Sequence, residues 1–382
     1  MEFRQNNPVF INAATLRTGG GKSVAVNFLK ALGNNHKNKS FVAVVPGAGD
    51  FKKINYNNIQ LHFVPKHFHN PAFRIPLDYW IIKKLKESGA KKVFNMGNIA
   101  LPVKNYKQIT LFHFPYAIYP DSEIWNILNK KDYLINRLMV WLFKSRIKYS
   151  DYFLAQTQTA KKRLVKYYGL SEEKIFIAPN AVSVDNYDKN IVEDDFIKTM
   201  TADKSTYKCL CLSVYYPHKN IEILVDVAEL IKKRNENIQI FLTISEKDSP
   251  NVKKILNQIK SKGLEKILVN LGRVPMQNIA YLYSRIDALL LPTILESFTG
   301  TYVEAMFFKK KILTSDMDFA REICKNNTWF FDPFDPQDIL DKIIDSKNTN
   351  DPEAVEMAYH DVLQMNDWNQ TADNIMNIID KI

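Results

Sequence analysis

The chain has 382 residues, 46% of them apolar and 24% charged, which is typical of a globular protein with about two domains. It lacks any apolar run of roughly eighteen residues and any signal-peptide core, so the composition excludes a membrane-spanning protein and predicts a cytoplasmic one. The net charge of +11 is compatible with nucleic acid, an anionic membrane surface, a polyanionic substrate or biased genome composition alone.

The three cysteines do not form a recognisable framework. Cys209 and Cys211 are two residues apart in one strand pattern, which is poor geometry for a disulfide, and Cys324 is distant. The sequence also contains no metal-ligand spacing. We therefore expect free thiols and no metal site.

A glycine-rich run, Gly19-Gly20-Gly21-Lys22-Ser23, follows a strand predicted over residues 9–14. Its end matches a Walker A loop, but Leu16 stands where that motif needs its first glycine. A dinucleotide-binding motif starting at Gly19 fails too, because Val24 replaces its third glycine. The glycines therefore either let a ligand approach the backbone or form a flexible loop.

Apolar runs and turn residues predict alternating strands and helices along the rest of the first half. The strands are predicted at 41–46, 59–64, 108–112 and 174–178; the helices at 24–32 (ending at Gly33), 76–88 and 132–149; and a strand, cap and helix within 151–164.

The helix predicted at 132–149 combines aromatic, aliphatic and basic residues. Such a helix can pack on the core of its domain, which we favour, or lie on a membrane surface. The lysines around helix 76–88 allow the same two interpretations, a solvated face or contact with anionic lipid head groups.

A polar linker is predicted at 183–205, and the second half of the chain follows it. Strand and helix patterns alternate in this half, which predicts a doubly wound α/β sheet. The strands are predicted from Lys208 and at 238–244, 267–274, 288–291, 310–316 and 328–333; the helices at 221–232, 252–262, 278–286, from about Thr299, and over most of 353–382.

The most informative stretch surrounds the strand at 288–291, which Pro292 stops. Glu296 lies in the following loop, Thr299 is a candidate N-cap, and Glu304 falls in the first turns of the next helix. A helix N-terminus suits a diphosphate, and two carboxylates suit the hydroxyls of ribose and of a sugar. The residues alone allow a nucleotide-sugar site or two ordinary solvated acids.

This pattern of Glu, seven residues, Glu, Ala, Met resembles the signature of the retaining glycosyltransferases of family four, which have the GT-B fold. The resemblance implies that Glu296 contacts the donor sugar and Glu304 the nucleotide ribose. The family's usual Glu-Gly-Phe-Gly is altered to Glu296-Ser297-Phe298-Thr299, with Gly300 one step later. The phosphate-facing amides are therefore expected near Phe298, Thr299, Gly300 and Thr301.

Other positions extend the resemblance. His113, in His-x-Pro at a strand end, matches a functional histidine near the donor sugar, and Lys219 matches a lysine that neutralises the diphosphate. The companion arginine of the family is replaced by Val214, so His218, Arg273 or a residue of the first domain would have to compensate. The resemblance also places Gly20 and Gly21 near donor phosphates and acceptor, and Arg273 and Val274 near the base. Ala181 replaces the glycine of the family's Pro-Asn-Gly.

The sequence thus predicts a GT-B protein whose two Rossmann-like domains face across a cleft. The domains are predicted at 1–185, which binds acceptor, and 186–365, which binds donor, with a helix at 366–382 crossing back to the first. The predicted catalytic residues are His113, Lys219 and Glu296; the predicted donor-binding residues are Gly20, Gly21, His218, Arg273, Val274, Phe298, Thr299, Gly300, Thr301 and Glu304.

The implied activity is metal-independent, retaining transfer from a nucleotide-diphosphate sugar to a glycan or lipid-linked acceptor in bacterial surface polysaccharide assembly. No cofactor and no nucleic-acid partner are expected, and the expected location is the cytoplasm, either free or peripheral at the inner face of the cytoplasmic membrane. A non-transferring nucleotide-sugar enzyme, an inactive scaffold of the same fold and a nucleic-acid-binding protein are the alternatives. Charge is the only support for the last.

Overall fold

The computed structural model describes residues 7–47, 49–69, 73–181 and 192–382. They form two compact units. The first takes in the described parts of 1–120, 129–181 and 366–382, and the second those of 121–128 and 182–365. The units divide the chain after residues 181 and 365, near the predicted divisions at 185 and 365, but residues 121–128, predicted within the first domain, belong to the second unit.

The first unit is built on a seven-stranded parallel sheet with the order β3-β2-β1-β4-β5-β6-β7. In such a sheet the strand order reverses between β1 and β4, as in Rossmann-type folds. Its strands are β1 Val9–Asn12, β2 Phe41–Pro46, β3 Ile59–Val64, β4 Lys92–Asn95, β5 Lys107–Phe112, β6 Tyr152–Ala155 and β7 Ile175–Ile177.

The second unit repeats this topology with six parallel strands in the order β10-β9-β8-β11-β12-β13, so its order reverses between β8 and β11. Its strands are β8 Tyr207–Cys211, β9 Ile238–Leu242, β10 Leu268–Asn270, β11 Ala288–Leu291, β12 Lys311–Ser315 and β13 Thr328–Phe331. All four residues of β11 are buried, as its continuous apolar run predicts for a central parallel strand.

Helices connect the strands in both units. They are α1 Gly19–Asn35, α2 Arg74–Ser88, α3 Pro115–Ile118, α4 Ile124–Ile127, α5 Lys130–Arg146, α6 Gln158–Tyr168, α7 Asp195–Met200, α8 Ile223–Arg234, α9 Pro250–Ser261, α10 Ile279–Ser284, α11 Gly300–Phe307, α12 Asp318–Ile323, α13 Pro336–Asn348, α14 Pro352–Leu363 and α15 Trp368–Lys381. Within the described ranges, no helix has the length and apolar character needed to cross a bilayer.

The α1 helix corrects two expectations. It begins at Gly19, five residues before the predicted start, so Gly20 and Gly21 lie in its first turn and not in a loop. Gly33 lies inside the helix and does not end it. A Cβ at Gly33 would come within 2.3 Å of the Tyr56 ring, so the glycine is explained by close packing.

Strand β4 was not predicted, although it pairs directly with β1 from Val9↔Lys92 to Asn12↔Asn95. Its apolar part is only Val93 and Phe94, which is too short to stand out in the sequence. The predicted linker at 183–205 also contains a helix, α7, whose first turn is capped by the Asp194 side chain. Residues 183–191 of that linker lie outside the described residues.

The last helix, α15, packs on α1 of the first unit, as expected for a GT-B chain. Ala372, Ile375, Met376 and Ile379 are buried in the core that also contains β1 and β2 residues. A capping box between Asp367 and Gln370 fixes its start. Together with the two Rossmann-like sheets, this helix confirms the predicted fold class.

The cysteines are free and buried, at positions 209, 211 and 324. Because Cys209 and Cys211 lie in the buried strand β8, their thiols contribute to core packing.

The packing of α15 gives a first prediction. Met376→Ala should lower the free energy of unfolding by about 2–5 kcal/mol, because it removes a buried side chain and leaves a cavity. Asn377→Ala, on the exposed side of the same helix, is the matched control and should change it by less than about 0.5 kcal/mol. Denaturant unfolding measures both; equal effects would contradict a docked helix.

Candidate functional site

The candidate site forms where the strand order of the second sheet reverses. Strands β8 and β11 are hydrogen-bonded neighbours, with Ala288 opposite Cys209 and Leu289 opposite Leu210. In open parallel sheets, ligands bind beyond the carboxyl ends of the strands at such a reversal. The loops that follow these two strands carry Lys219 and Glu296.

The β8 loop presents Lys219 from a single 3-10 turn, Pro217–Lys219, which starts after extended Tyr216. Asn220 then adopts a left-handed conformation with φ 53°, which asparagine tolerates better than most residues. The Asn220 side chain donates a 2.7 Å hydrogen bond to the carbonyl of Pro333. These contacts fix the backbone on both sides of Lys219.

The β11 loop is fastened to the β8 loop through the carbonyl of His218. That oxygen accepts a hydrogen bond from the Ile294 N–H at 2.8 Å. The Thr293 hydroxyl lies 3.1 Å from the same oxygen and 3.2 Å from Glu296 Oε1, so its hydrogen is shared between them. Fully buried Thr293 therefore couples the position of Glu296 to the neighbouring loop.

Lys219 and Glu296 meet directly, because Lys219 Nζ donates a hydrogen bond to Glu296 Oε1. The lysine side chain is 15% exposed and the glutamate side chain 10% exposed. A charge this far removed from water needs a partner, and here each supplies it to the other. The structure thus brings together two of the three predicted catalytic residues.

Helix α11 begins immediately after this loop. Thr299 occupies the N-cap position as predicted, but its side chain makes no capping hydrogen bond. A Cβ at exposed Gly300 would meet nothing within 4 Å, so the backbone there is open to a ligand. The first N–H groups of a helix have no intrahelical partner and carry partial positive charge, which suits an anion.

Glu304 lies in the second turn of α11 and is half-buried. The Tyr283 hydroxyl is 3.4 Å from Glu304 Oε2 and 3.4 Å from the Thr301 carbonyl. The Tyr283 ring is itself stacked on Phe308, with ring centroids 4.8 Å apart. This tyrosine supports the carboxylate from behind the helix.

Arg273 and Val274 lie after β10, at the edge of the same sheet. The Arg273 guanidinium pairs with Asp248, whose side chain is only 1% exposed. The Ser245 N–H donates a 3.0 Å hydrogen bond to the other oxygen of that carboxylate. The charge of Arg273 is thus already matched by a buried acid.

His218 supplies no positive charge near neutral pH. Burial, with a smaller contribution from the charge of Lys219, lowers the pKa of His218 to about 3. Its ring stacks on Tyr216, with centroids 5.5 Å apart. The imidazole can exchange hydrogen bonds, but it does not replace the cation missing at Val214.

In the first unit, the structure brings His113 beside Gly21. A Cβ at Gly21 would lie 3.5 Å from His113 Nε2, an ordinary van der Waals contact, and 3.1 Å from the Leu16 side chain, which is tighter. The backbone N–H of His113 donates a 2.6 Å hydrogen bond to Asn98 Oδ1. Burial lowers the pKa of His113 to about 4, which keeps the ring neutral at pH 7.

Sequence reasoning missed the residues that hold the site in place. They are Thr293, Tyr283, Asn98 and Asp248, each a polar residue whose partner comes from a different stretch of chain. Only Thr293 has a recognisable sequence signal, because it is a polar residue that follows a buried strand and its terminating Pro292. Within the described ranges, no group of three or more His, Cys, Asp and Glu residues has metal-binding geometry.

Family models match both halves of the chain. The model described as Glycosyltransferase Family 4 matches residues 18–186, and the model described as Glycosyl transferases group 1 matches residues 192–359. The chain is also 22% identical over 317 residues to the O-antigen chain mannosyltransferase RfbU of Salmonella typhimurium. That alignment covers 81% of this chain and 82% of RfbU.

Solved structures share the fold. A glycosyltransferase from Rickettsia africae has a TM-score of 0.72 at 18% identity, with 99% of each chain covered. HepE from Anabaena, solved in complex with UDP-glucose, has a TM-score of 0.72 at 16% identity, covering 98% of this chain and 100% of HepE. WaaG, a glycosyltransferase involved in lipopolysaccharide biosynthesis, has a TM-score of 0.72 at 14% identity, covering 97% and 99%.

The low pKa values of His113 and His218 predict a pH-dependent stability. The unfolded chain binds protons on histidine near pH ~6.5, whereas the folded chain does so only near about 4 and about 3. Stability therefore rises with pH across this window and is lost as the pH falls from ~6.5. His113→Gln/His218→Gln should reduce the drop in melting temperature between pH 7 and pH ~4.5.

His360→Gln, at an exposed position of α14, is the control and should leave that drop unchanged. Thermal unfolding across this pH range in dilute buffer measures all three proteins. A double variant with the same pH dependence as the parent would show that both imidazoles titrate normally.

Proposed function

The chain belongs to the group 1 glycosyltransferases, and we propose that it transfers a sugar from a nucleotide-diphosphate sugar to a glycan or lipid-linked acceptor with retention of configuration. The observation that supports this most is the Lys219–Glu296 pair at the strand reversal, beside the start of α11. The similarity to RfbU supports an acceptor in surface polysaccharide or lipopolysaccharide assembly.

In this proposal the second unit binds the donor. The first-turn amides of α11, near Gly300 and Thr301, hold the diphosphate, and Lys219 neutralises its charge. Glu304, supported by Tyr283, accepts hydrogen bonds from the ribose hydroxyls. Phe298, Arg273 and Val274 complete the donor pocket, with Arg273 and Val274 beside the base. The UDP-glucose complex of HepE makes uridine donors the first to test.

Glu296 orients the donor sugar through its hydroxyls. In the structure this carboxylate accepts hydrogen bonds from Lys219 and Thr293. In this proposal Lys219 turns to the diphosphate when the donor binds, and Glu296 accepts hydrogen bonds from the sugar hydroxyls, so each charged group keeps a polar partner. Each residue thus exchanges one polar partner for another, and neither charged group is left without a hydrogen bond in a site largely shielded from water.

The transfer step requires no covalent intermediate in this proposal. The acceptor oxygen attacks the anomeric carbon on the face from which the diphosphate leaves, and the C–O bond to phosphate breaks. The departing phosphate oxygen takes the proton of the acceptor hydroxyl. Lys219 and the α11 amides stabilise the negative charge that develops on the leaving group.

The first unit contributes the acceptor side. In this proposal neutral His113 exchanges hydrogen bonds with sugar hydroxyls, and the ligand approaches the backbone of α1 at Gly20 and Gly21. His218 contributes a hydrogen bond and not a charge. A lipid-linked acceptor would place the enzyme at the inner face of the cytoplasmic membrane.

The loss of the family's arginine at Val214 favours one competing function, an inactive scaffold of the same fold. Such a protein would bind nucleotide weakly and transfer nothing. A non-transferring nucleotide-sugar enzyme would instead release free or epimerised sugar. Product analysis with a donor and a candidate acceptor separates these outcomes, and the anomeric configuration of the product tests retention.

A double-variant comparison tests the ion pair. Lys219→Met or Glu296→Leu alone should cost on the order of 3 kcal/mol of stability, because each leaves a largely buried charge unpaired. Lys219→Met/Glu296→Leu should recover much of that stability. All three variants should lose transfer by at least about a hundredfold, since removing a group that stabilises developing charge typically costs ~10²–10³.

The readouts are denaturant unfolding and initial transfer rates on the same preparations. Arg234→Met and Asp341→Leu, which remove an exposed ion pair of the second unit joined at 3.0 Å, are the matched controls and should affect neither property strongly. Transfer that survives in the stable double variant would contradict the roles of Lys219 and Glu296.

Donor binding and metal independence have their own test. A true donor should raise the melting temperature by mass action, and Glu304→Gln should weaken that shift without changing the melting temperature of the free protein by more than a few degrees. Because Lys219 and the α11 amides supply the charge, EDTA should leave the transfer rate unchanged. A requirement for added Mg²⁺ would contradict this use of protein charge.

A further inference from the structure

Helix α5 buries unusually little of its surface. It has 17 residues, and only Phe143 is fully buried. A helix packed on a core normally buries an apolar stripe along its length. Here the largest apolar residues face outwards, with Leu134 65% exposed, Leu138 59% and Trp141 63%.

These three residues form one stripe. Their spacing of four and three residues places them on the same face of a helix. Phe143 lies on the opposite side by the same periodicity of about 100° per residue. Ile135, 41% exposed, widens the stripe along one edge. The apolar stripe of α5, meaning Leu134, Ile135, Leu138 and Trp141, is therefore exposed, while the opposite face packs on the domain.

A row of cations runs along the other edge of the stripe. Lys130, Arg137 and Lys144 are seven residues apart, which keeps them aligned along the helix to within about 20° per repeat. All three are exposed, whereas Asp132 is the only acid in α5. We call these three residues the basic edge.

We propose that the apolar stripe and basic edge of α5 form a docking surface for an anionic lipid bilayer. Helices that lie in a bilayer interface bury an apolar face just below the head groups and direct long basic side chains to the phosphates. The aromatic ring of Trp141 suits the same depth. These residues would form the membrane contact of the proposed glycosyltransferase. Only the purpose of that contact, access to a lipid-linked acceptor, rests on the proposed function.

Charge distinguishes this partner from a second copy of the chain. Two copies that paired through the stripe would bring two basic edges together, and α5 has one acid against Lys130, Lys131, Arg137 and Lys144, its fifth cation being paired with Asp78. A surface of anionic head groups matches the basic edge instead. Each cation near such a surface strengthens binding roughly fivefold at low salt.

The neighbouring helix α2 supports the orientation of α5. Asp78 accepts from Arg146 at 3.0 Å and lies 3.1 Å from Arg74, and its side chain is only 4% exposed. This buried cluster joins the end of α5 to the first turns of α2. Next to Asp78 on α2, Ile75 is 68% and Tyr79 75% exposed. The cluster therefore holds α5 against the domain by its polar end while the stripe stays outside.

Vesicle flotation without any nucleotide sugar tests this surface. The full chain should float with vesicles of phosphatidylcholine and phosphatidylglycerol at low salt, and much less with pure phosphatidylcholine or at high salt. Lys130→Gln/Arg137→Gln/Lys144→Gln should weaken binding roughly a hundredfold. Leu134→Ser/Leu138→Ser/Trp141→Ser should weaken it at least about tenfold, even at low salt.

Two matched variants control for charge and for apolar exposure elsewhere. Lys253→Gln/Lys254→Gln/Lys260→Gln removes three exposed cations from α9, and Met357→Ser/Leu363→Ser removes exposed apolar residues from α14. Both should bind vesicles like the parent. Equal loss in the α9 and basic-edge variants would mean attraction by net charge alone and would overturn the proposal.

The other outcomes are equally decisive. If the parent does not float with vesicles at low salt, the proposal is overturned. The same holds if light scattering shows a dimer that the stripe variant lacks and the parent does not bind vesicles. The thermal shift given by a donor should be the same in every variant. A missing donor shift with normal flotation would count against the proposed function and leave the docking surface intact.

Discussion

The contact between Lys219 and Glu296 is the constraint on which the candidate site depends. Two opposite charges, each largely removed from water, hold the ends of the β8 and β11 loops together. Other hydrogen bonds also join the two loops, above all those that the Ile294 N–H and the Thr293 hydroxyl donate to the His218 carbonyl. The sheet topology then decides the location, since β8 and β11 are neighbours only because the strand order reverses between them.

Much of this arrangement was predictable because it follows from local patterns. The strand Ala288–Leu291 and the helix beginning at Gly300 agree with their sequence signals, and the spacing of Glu296 and Glu304 carries over directly to the site. What failed depends on contacts distant in sequence. The glycines at 19–21 have the composition of a loop, whereas they open α1, and β4 has too few apolar residues to be recognised before its pairing with β1 is known.

The electrostatics could not be predicted for a similar reason. Nothing in the sequence distinguishes a charged His218 from a neutral one, but burial and the adjacent Lys219 keep it neutral. Nothing there shows that Arg273 is paired with buried Asp248. The cation missing at Val214 is therefore not replaced by either of these neighbours. Lys219 is left as the principal positive charge among the described residues of the β8 and β11 loops.

Residues 121–128 have a consequence for how the polypeptide can be divided. Residues 121–128 leave the first unit, contribute fully buried Ile124 to the second, and are followed by a return to the first. The last helix, after the second unit, belongs to the first. The backbone thus passes between the units four times. One cleavage between residues 181 and 192 would give two fragments that each lack part of a unit and each carry part of the other. Neither half is a self-sufficient module, so exchange of halves between related enzymes requires complementary changes at both borrowed segments.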